Sequence, residues 1–444
     1  MKLGSLFDGS GGFPFAASIC GIEPKWAAEV EPYPVAVTKS RFPHMKHLGD
    51  VGKINGAEIE PVDIITAGSP CQDLSVAGKR AGLKHESNGD EVTTRSGLFM
   101  EFIRIIKEMR EATNGEYPRF ALWENVPGAF SSNKGEDFRI VLEEFIKVNE
   151  PAAVMPEVPK NGWPYADSYC GDGWSIAYRV FDAQYWGVPQ RRRRIHLVAD
   201  FRGECARKVL FERDGLRGNF AESGAQREAV AADAERSIGA DDREGAGCEL
   251  NAAGFDGYNV AATGSVAKTV TAGRNDTHNI PSVCYGISSY DSNAMRSSNP
   301  HSGVYEATTS RTLDLNGGNP ACNQGGIAVV QPTMEYENKP RYIVRRLTPT
   351  ECARLQGFPD NWGHPDRKNS FTDEEYAFWL DVRNTHAAIN SKAVKEYTKE
   401  QMLSWYNKLH TDSAEYKMWG NGIALPPTLY CMQGIAETLK GGLT

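Results

Sequence analysis

Lys2-Leu3-Gly4-Ser5-Leu6-Phe7-Asp8-Gly9-Ser10-Gly11-Gly12 is the stretch whose reading decides the fold. A short apolar run enters a glycine turn, and an apolar helix follows. Open α/β sheets present their first strand to a nucleotide-like ligand in this order. Glycines at such a turn let a ligand approach the backbone closely. The turn is not the dinucleotide fingerprint, because Pro14 stands where that pattern needs its last glycine. Taken alone, it fits a plain tight turn as well as a cofactor cradle.

Outward from this turn, short β-branched runs at 2–7, 25–30, 62–67, 119–124, 177–181 and 194–199 alternate with helical periodicity. Residues 96–112 repeat apolar side chains at Leu98, Phe99, Phe102, Ile105, Ile106 and Met109, the stripe of a helix packed on a sheet, and 136–148 read similarly. The pattern predicts an α/β fold with a doubly wound, mostly parallel sheet over residues 1–203. After residue 202 the texture turns to Gly, Ala, Ser, Asn and Asp; a smaller β-rich unit is expected over 204–340, with a flexible insertion at 215–254. Helical character returns over 341–419, at 348–356 and 374–409, and again at 427–439 within a last segment, 420–444.

The 444 residues suffice for two or three domains. No apolar run approaches the roughly 20 residues of a membrane span, so no membrane association is expected. The start lacks the hydrophobic stretch and cleavage site of a secretory signal, which points to the cytoplasm. Nine cysteines, none in a Cys-x-x-Cys pair, are scattered from Cys20 to Cys431. They predict reduced, mostly inert thiols and no metal site. A net charge of −8 argues mildly against nucleic acid as a partner.

Three further segments converge on the sheet's carboxyl edge. Residues 63–72 run from a buried strand through Gly68, Ser69 and Pro70 to Cys71 and Gln72, and such a turn displays a nucleophile. A cysteine without context is more often a small buried apolar residue. Glu124-Asn125-Val126 ends another strand and puts a carboxyl at the same edge; beside an apolar pocket, such a group can hold its proton and act as an acid. The run Gln190-Arg191-Arg192-Arg193-Arg194 leads into a strand, so alternate arginines should point one way. They can orient a carboxylate or hold phosphates, although such a run is commonly a solvated patch. Glu29, near the end of the second strand, can bind ribose hydroxyls or serve as a solvated carboxylate at a helix start.

In order, Phe7-x-Gly9-x-Gly11, Pro70-Cys71-Gln72, Glu124-Asn125-Val126 and Gln190-x-Arg192-x-Arg194 resemble the ordered motifs of the DNA cytosine-5 methyltransferase family of bacteria and phages. Residues 345–359, which begin Arg345-Arg346-Leu347-Thr348-Pro349, and residues 420–427, which include Asn421, Gly422 and Ile423, resemble its later motifs. The resemblance covers 1–200 and 340–444. It implies the S-adenosylmethionine-dependent methyltransferase fold, with residues 204–340 as a target-recognition domain.

What the resemblance implies can be stated residue by residue. Cys71 is the nucleophile that adds to carbon 6 of cytosine, Glu124 engages ring nitrogen N3, and Arg194, with Arg192, holds that carboxyl and the target's sugar–phosphate. S-adenosyl-L-methionine would be held by Phe7, Asp8, Gly9, Gly11, Glu29, Val30, Asp50, Val51, Gly68, Pro70, Leu98, Asn421 and Ile423. Duplex DNA would meet Gln72, Ser75, Lys79, Arg80, Gln190, Arg345 and Arg346, with Arg296, Asn316, Asn319, Asn323 and Gln324 as base readers. The target base must be flipped out of the stack. The expected form is a monomer, and a cognate restriction endonuclease is a partner such enzymes can have. The competing readings are a tRNA cytosine-5 methyltransferase of the same family and a non-catalytic DNA-binding relative.

Overall fold

The computed structural model describes residues 1–69, 97–153, 157–211 and 347–441, together with the backbone of β9 Val283–Ser288, β10 Gly303–Glu306, β11 Ile327–Tyr336 and β12 Lys339–Arg346. Pro70, Cys71, Gln72, Ser75, Lys79 and Arg80 lie outside the described residues, as do the insertion at 215–254 and the base readers named above.

Eight strands form one sheet: β1 Lys2–Leu6, β2 Glu23–Ala28, β3 Lys46–His47, β4 Ile64–Ala67, β5 Phe120–Asn125, β6 Ala166–Gly171, β7 Trp174–Asp182 and β8 Arg193–Asp200. Their spatial order is β3-β2-β1-β4-β5-β8-β7-β6. The strands from β3 to β5 are parallel, whereas β8, β7 and β6 continue the sheet antiparallel. The chain order reverses between β1 and β4, so the carboxyl ends of these two strands flank the crevice where open α/β sheets bind ligands. β9 to β12 make a second, four-stranded antiparallel sheet, the β-rich element expected after residue 204.

The helices among the described residues are α1 Gly12–Ile19, α2 Pro32–Arg41, α3 Gly97–Ala112, α4 Glu136–Ile146, α5 Ala206–Leu210, α6 Pro349–Leu355, α7 Asp373–Ile389, α8 Lys399–Tyr406, α9 Asp412–Asn421 and α10 Leu425–Leu439. Successive strand residues face opposite layers. Ile64, Phe120 and Leu122 pack with Phe13 and Ala16 of α1 and with Cys431, Met432 and Ile435 of α10. Their neighbours Ile65, Ala121 and Trp123 pack with Phe99, Phe102 and Ile106 of α3 and with Phe138 and Leu142 of α4. Burial of such side chains stabilises the fold by about 1.5–3 kcal/mol each. Both sheet faces are therefore sealed, and the carboxyl edge is left for chemistry.

Residues 360–416, long for a link between motifs, are a helical layer. Thr372 with Glu375 and Thr398 with Gln401 close capping boxes that start α7 and α8. Phe371, Trp379, Val382, Met402 and Tyr406 then bury against Val35 and Ala36 of α2.

The chain's end closes on its beginning. A methyl group placed on Gly12 would meet Ile423 Cγ1 at 2.5 Å and Cδ1 at 2.7 Å, and one on Gly422 would meet Ser10 Oγ at 2.9 Å. The Trp362 indole donates to the carbonyl of Ser10 over 2.7 Å, and the Leu425 amide donates to that of Gln356 over 2.8 Å. Glycine is required at position 12 because a later part of the chain occupies the space of its missing Cβ. Gly12→Ala should destabilise the protein by about 1–3 kcal/mol through overpacking. Ile423→Ala in the same chain should recover part of that loss, so denaturant melts of the two single variants and the double variant should be non-additive. Additive losses would separate these two segments.

Candidate active site

The turn after β1 is built from unusual backbone. Phe7 takes φ of 55°, Gly9 of 54° and Gly11 of 77°. A positive φ is routine for glycine but strained for phenylalanine, and such strain gathers at ligand sites. The turn is closed by the Gly11 amide donating to the Asp8 carbonyl over 3.0 Å.

Two carboxyls sit within this turn. The Glu29 Oε2 accepts from the Gly9 amide at 2.8 Å, and its Oε1 accepts from the amides of Val30 at 2.8 Å and Glu31 at 2.9 Å. Burial pushes its pKa up, while these three N–H donors pull it back. Oε1 already accepts two bonds, and Oε2, with one, keeps lone-pair capacity for a hydroxyl. Asp8 is 4% exposed. Its Oδ1 accepts from Ser5 Oγ at 2.6 Å, and its Oδ2 meets no donor among the described residues. Burial, partly offset by the Ser5 hydrogen bond and reinforced by the Glu29 charge, pushes its pKa up to about 7.

Further along this rim, the Asp50 carboxylate caps the short turn at 51–53 by accepting from the Gly52 amide at 3.0 Å. Val51 is buried, and the half-buried Leu98 and Phe7 pack on the same apolar cluster. Val30 is half-buried, and Asn421, the last residue of α9, is exposed.

At the end of β4, Gly68 is walled by three groups. Its missing Cβ would lie 3.6 Å from the Phe13 ring, 3.8 Å from Glu124 Oε2 and 3.9 Å from Ile423. The next residue, Ser69, is buried, and its Oγ accepts from the Trp123 indole at 2.9 Å and the Asn125 amide at 3.1 Å. Sequence reasoning missed Ser69. Its position two residues before Cys71, level with two polar side chains ending a neighbouring strand, was the available signal. This anchor fixes the backbone that leads into Pro70 and Cys71.

β5 and β8 are antiparallel, which brings the start of β8 beside the end of β5, with Glu124 opposite His196. Arg194 is two residues before His196, on the same face, and its Nε lies 3.1 Å from Glu124 Oε1. Glu124 is 6% exposed, so the pair is largely desolvated. The arginine run divides as alternation requires: Arg191 and Arg193 are exposed, whereas Arg192 is buried and Arg194 half-buried. Arg192 donates to the Gly422 carbonyl and so ties β8 to the C-terminal segment. Behind them, His196 is buried, and desolvation together with the two arginines pushes its pKa down to about 3. It stays neutral and adds no charge to the pocket. Gln190 is fully buried, and its side chain has no hydrogen-bond partner among the described residues.

Phe7–Gly11, Glu29, Gly68, Glu124, Arg192, Arg194 and Ile423 thus share one crevice edge, with a carboxyl-bearing glycine turn on one flank and a carboxylate–guanidinium pair on the other. Arg345 and Arg346 end β12. Among the described residues, no helix is long and apolar enough to cross a membrane.

Comparison with known proteins agrees with this layout. The chain is 29% identical over 477 aligned positions to a phage P1 protein of Escherichia named DNA N-6-adenine-methyltransferase, a match covering 95% of this chain and 59% of that one. It is 31% identical over 214 residues to the type II methyltransferase M2.BsuMI of Bacillus subtilis (strain 168), covering 48% of this chain and 45% of the relative. The chain therefore spans less than two thirds of these relatives. A crystal structure titled S. pombe Dnmt2 methyltransferase superposes with a TM-score of 0.51 at 15% identity, over 99% of both chains, which shows a common fold. The model of the C-5 cytosine-specific DNA methylase family matches residues 1–149 and 167–375, most of the chain, and the protein belongs to that family.

Proposed function

We propose that this protein methylates carbon 5 of cytosine in a specific duplex DNA sequence, using S-adenosyl-L-methionine, with Cys71 as a transient covalent nucleophile. The observation that carries the reading is the desolvated Glu124–Arg194 pair, which stands 3.8 Å from the Cβ position of Gly68, three residues before Cys71.

The glycine turn fits the cofactor. Gly9 and Gly11 leave room against the backbone, Glu29 Oε2 has lone-pair capacity for a ribose hydroxyl, and Asp8 Oδ2 is a buried oxygen that awaits a donor. Phe7, Val30, Asp50, Val51, Gly68, Pro70, Leu98, Asn421 and Ile423 would complete the binding surface. When bound, S-adenosylmethionine supplies an electrophilic sulfonium methyl, which carbon 5 takes up.

Carbon 5 of cytosine is a poor nucleophile. Addition of the Cys71 thiolate to carbon 6 makes the ring electron-rich at carbon 5, and covalent catalysis splits one hard step into easier ones. Glu124, as the protonated carboxyl, donates to the ring at N3 as negative charge develops there, and Arg194 holds that carboxyl group in place. Loss of the carbon-5 proton then expels the thiolate. The target base is flipped into the crevice at a cost of a few kcal/mol. Gln72, Ser75, Lys79 and Arg80, which follow the nucleophile, would meet the DNA there, together with Arg345 and Arg346, whereas Gln190, expected at the DNA, is fully buried and has no surface to offer it. We place the activity in the cytoplasm and in a monomer, with a cognate restriction endonuclease as the partner to seek.

The phage P1 relative is named for a different atom, N6 of adenine, but 59% of that protein is matched and the rest lies outside the comparison. An exocyclic amine needs no thiolate to activate it, so the Pro70-Cys71-Gln72 motif in the sequence, together with the Glu124–Arg194 pair, favours carbon 5. Incubation of duplex DNA with tritiated cofactor, followed by nucleoside mass spectrometry, should yield 5-methylcytosine. Cys71→Ser should lower the rate by more than about a thousandfold, and Glu124→Gln by about a hundred- to a thousandfold. N6-methyladenine as the product, or a fully active Cys71→Ser, would overturn the assignment.

Asp8 supplies a test of the pocket without substrate. Its folded-state pKa of about 7 lies above the ordinary 3.8, so the folded chain keeps a proton that the unfolded chain has lost between these values. Stability is therefore lost as pH rises through that window, on the order of 2–4 kcal/mol by pH 8. Asp8→Asn removes the titration. Its thermal midpoint without cofactor should exceed that of the unmodified protein at pH 8, and the two should converge near pH 4. A pH-independent offset would show that Asp8 is not held protonated.

A further inference from the structure

We propose that His364, His410 and Glu415 form a binding site for a divalent transition-metal ion of the zinc type, on the helical layer away from the crevice. Each side chain offers one donor atom, and the three atoms lie within 4.8 Å of one another. Glu415 Oε2 is 2.9 Å from His410 Nε2 and 3.7 Å from His364 Nε2. Donors around a tetrahedral zinc, bound at about 2.0–2.1 Å, stand about 3.3 Å apart. The cluster brackets that spacing, and small rotations of the two exposed imidazoles would close it on an ion.

The surroundings suit a metal better than an ordinary surface contact. Glu415 is 2% exposed, and its Oε1 already accepts from the Trp419 indole at 3.2 Å. That bond orients the carboxylate and directs Oε2 at the two rings, the outer-shell support expected of a metal ligand. Among the described residues, no lysine or arginine pairs with Glu415; only the two imidazoles do. A buried carboxylate needs compensation, and a neutral imidazole brings a hydrogen bond but no charge. A bound dication would supply it. Both histidines are exposed, so a fourth, open position faces solvent. Two imidazoles and one carboxylate favour zinc, nickel or copper over magnesium or calcium.

The ligands come from two separate segments: His364 from the turn after α6, and His410 and Glu415 from the start of α9. His410 also stacks on Tyr33 of α2 with ring centroids 5.8 Å apart, and the Tyr33 hydroxyl donates to the Gly363 carbonyl over 2.5 Å. An ion here would join the turn at 364 to the segment at 410–415. His410 and Glu415 fall beyond the residues that the family model matches, whereas His364 lies within them.

Titration of the full chain with ZnCl2 by calorimetry tests the proposal. The unmodified protein should bind one equivalent that His364→Ala and His410→Ala each weaken at least tenfold, and zinc should raise its thermal midpoint but not theirs. Cobalt(II) should give a visible d–d spectrum without a thiolate charge-transfer band, which separates this site from any cysteine. Circular dichroism confirms that the variants fold, and His364→Ala removes an exposed ring outside any helix. Equal zinc stoichiometry and affinity in all three proteins, or a cobalt spectrum carrying the thiolate band, would overturn it.

Discussion

The contact between Glu124 and Arg194 is the constraint around which this crevice is arranged. A carboxylate that is 6% exposed is costly to keep charged, and its partner must reach it from another strand. Only an antiparallel neighbour can place the first residues of β8 at the last residues of β5. The switch from parallel to antiparallel order after β5 is therefore what lets this pair form. Removing either partner would strand a buried charge at a cost of about 3–5 kcal/mol, so stability and chemistry are coupled at this pair.

The same economy governs how the crevice is closed. Arg192, the inward neighbour of Arg194 in the alternation, reaches the Gly422 carbonyl, and Ile423 then fills the space above Gly12. One short arginine run thus serves the carboxylate with one residue and anchors the chain's end with another. The glycine turn after β1 is completed only when residues more than 400 positions later have folded against it. Folding of the first strand's turn and of the last helix is therefore one event in packing terms.

Much of this was legible in the sequence, and the reasons differ by element. Strands β1, β2, β4, β5, β7 and β8 were found because each is a short apolar run, and α3 because its apolar stripe is long and regular. β3 is two residues long and β6 is mostly exposed, so neither carries a hydrophobic pattern. The antiparallel edge was hidden, because an apolar run does not state its direction. α7 and α8 were merged into one helical stretch at 374–409, and α9 fell between that stretch and the helix at 427–439, since these boundaries are set by the Thr398 and Thr411 caps rather than by any loss of periodicity. At the site, glycine spacing and the Glu124 turn could be read from local chemistry. The role of Ser69 depends on two donors from β5, and the His364–His410–Glu415 cluster on a fold that brings two segments together; no spacing rule reports either.

Net charge was the weakest guide, and the structure explains why. Arg104 lies between Glu101 and Glu108, and Arg139 between Glu136 and Glu143, so part of the acidic excess sits on α3 and α4. The His386 hydrogen bond, with that of Lys417, holds the Glu31 carboxyl down at about 2. Arg191 and Arg193, at the start of β8, are exposed, with Arg193 lying over the Tyr165 ring at 4.6 Å. Exposed charges more than about 8 Å apart are largely screened at physiological salt. On the proposed function, a phosphate near β8 would meet those two guanidinium groups rather than the sum of −8 over the whole chain. An acidic protein can in this way present a basic edge where its substrate must enter.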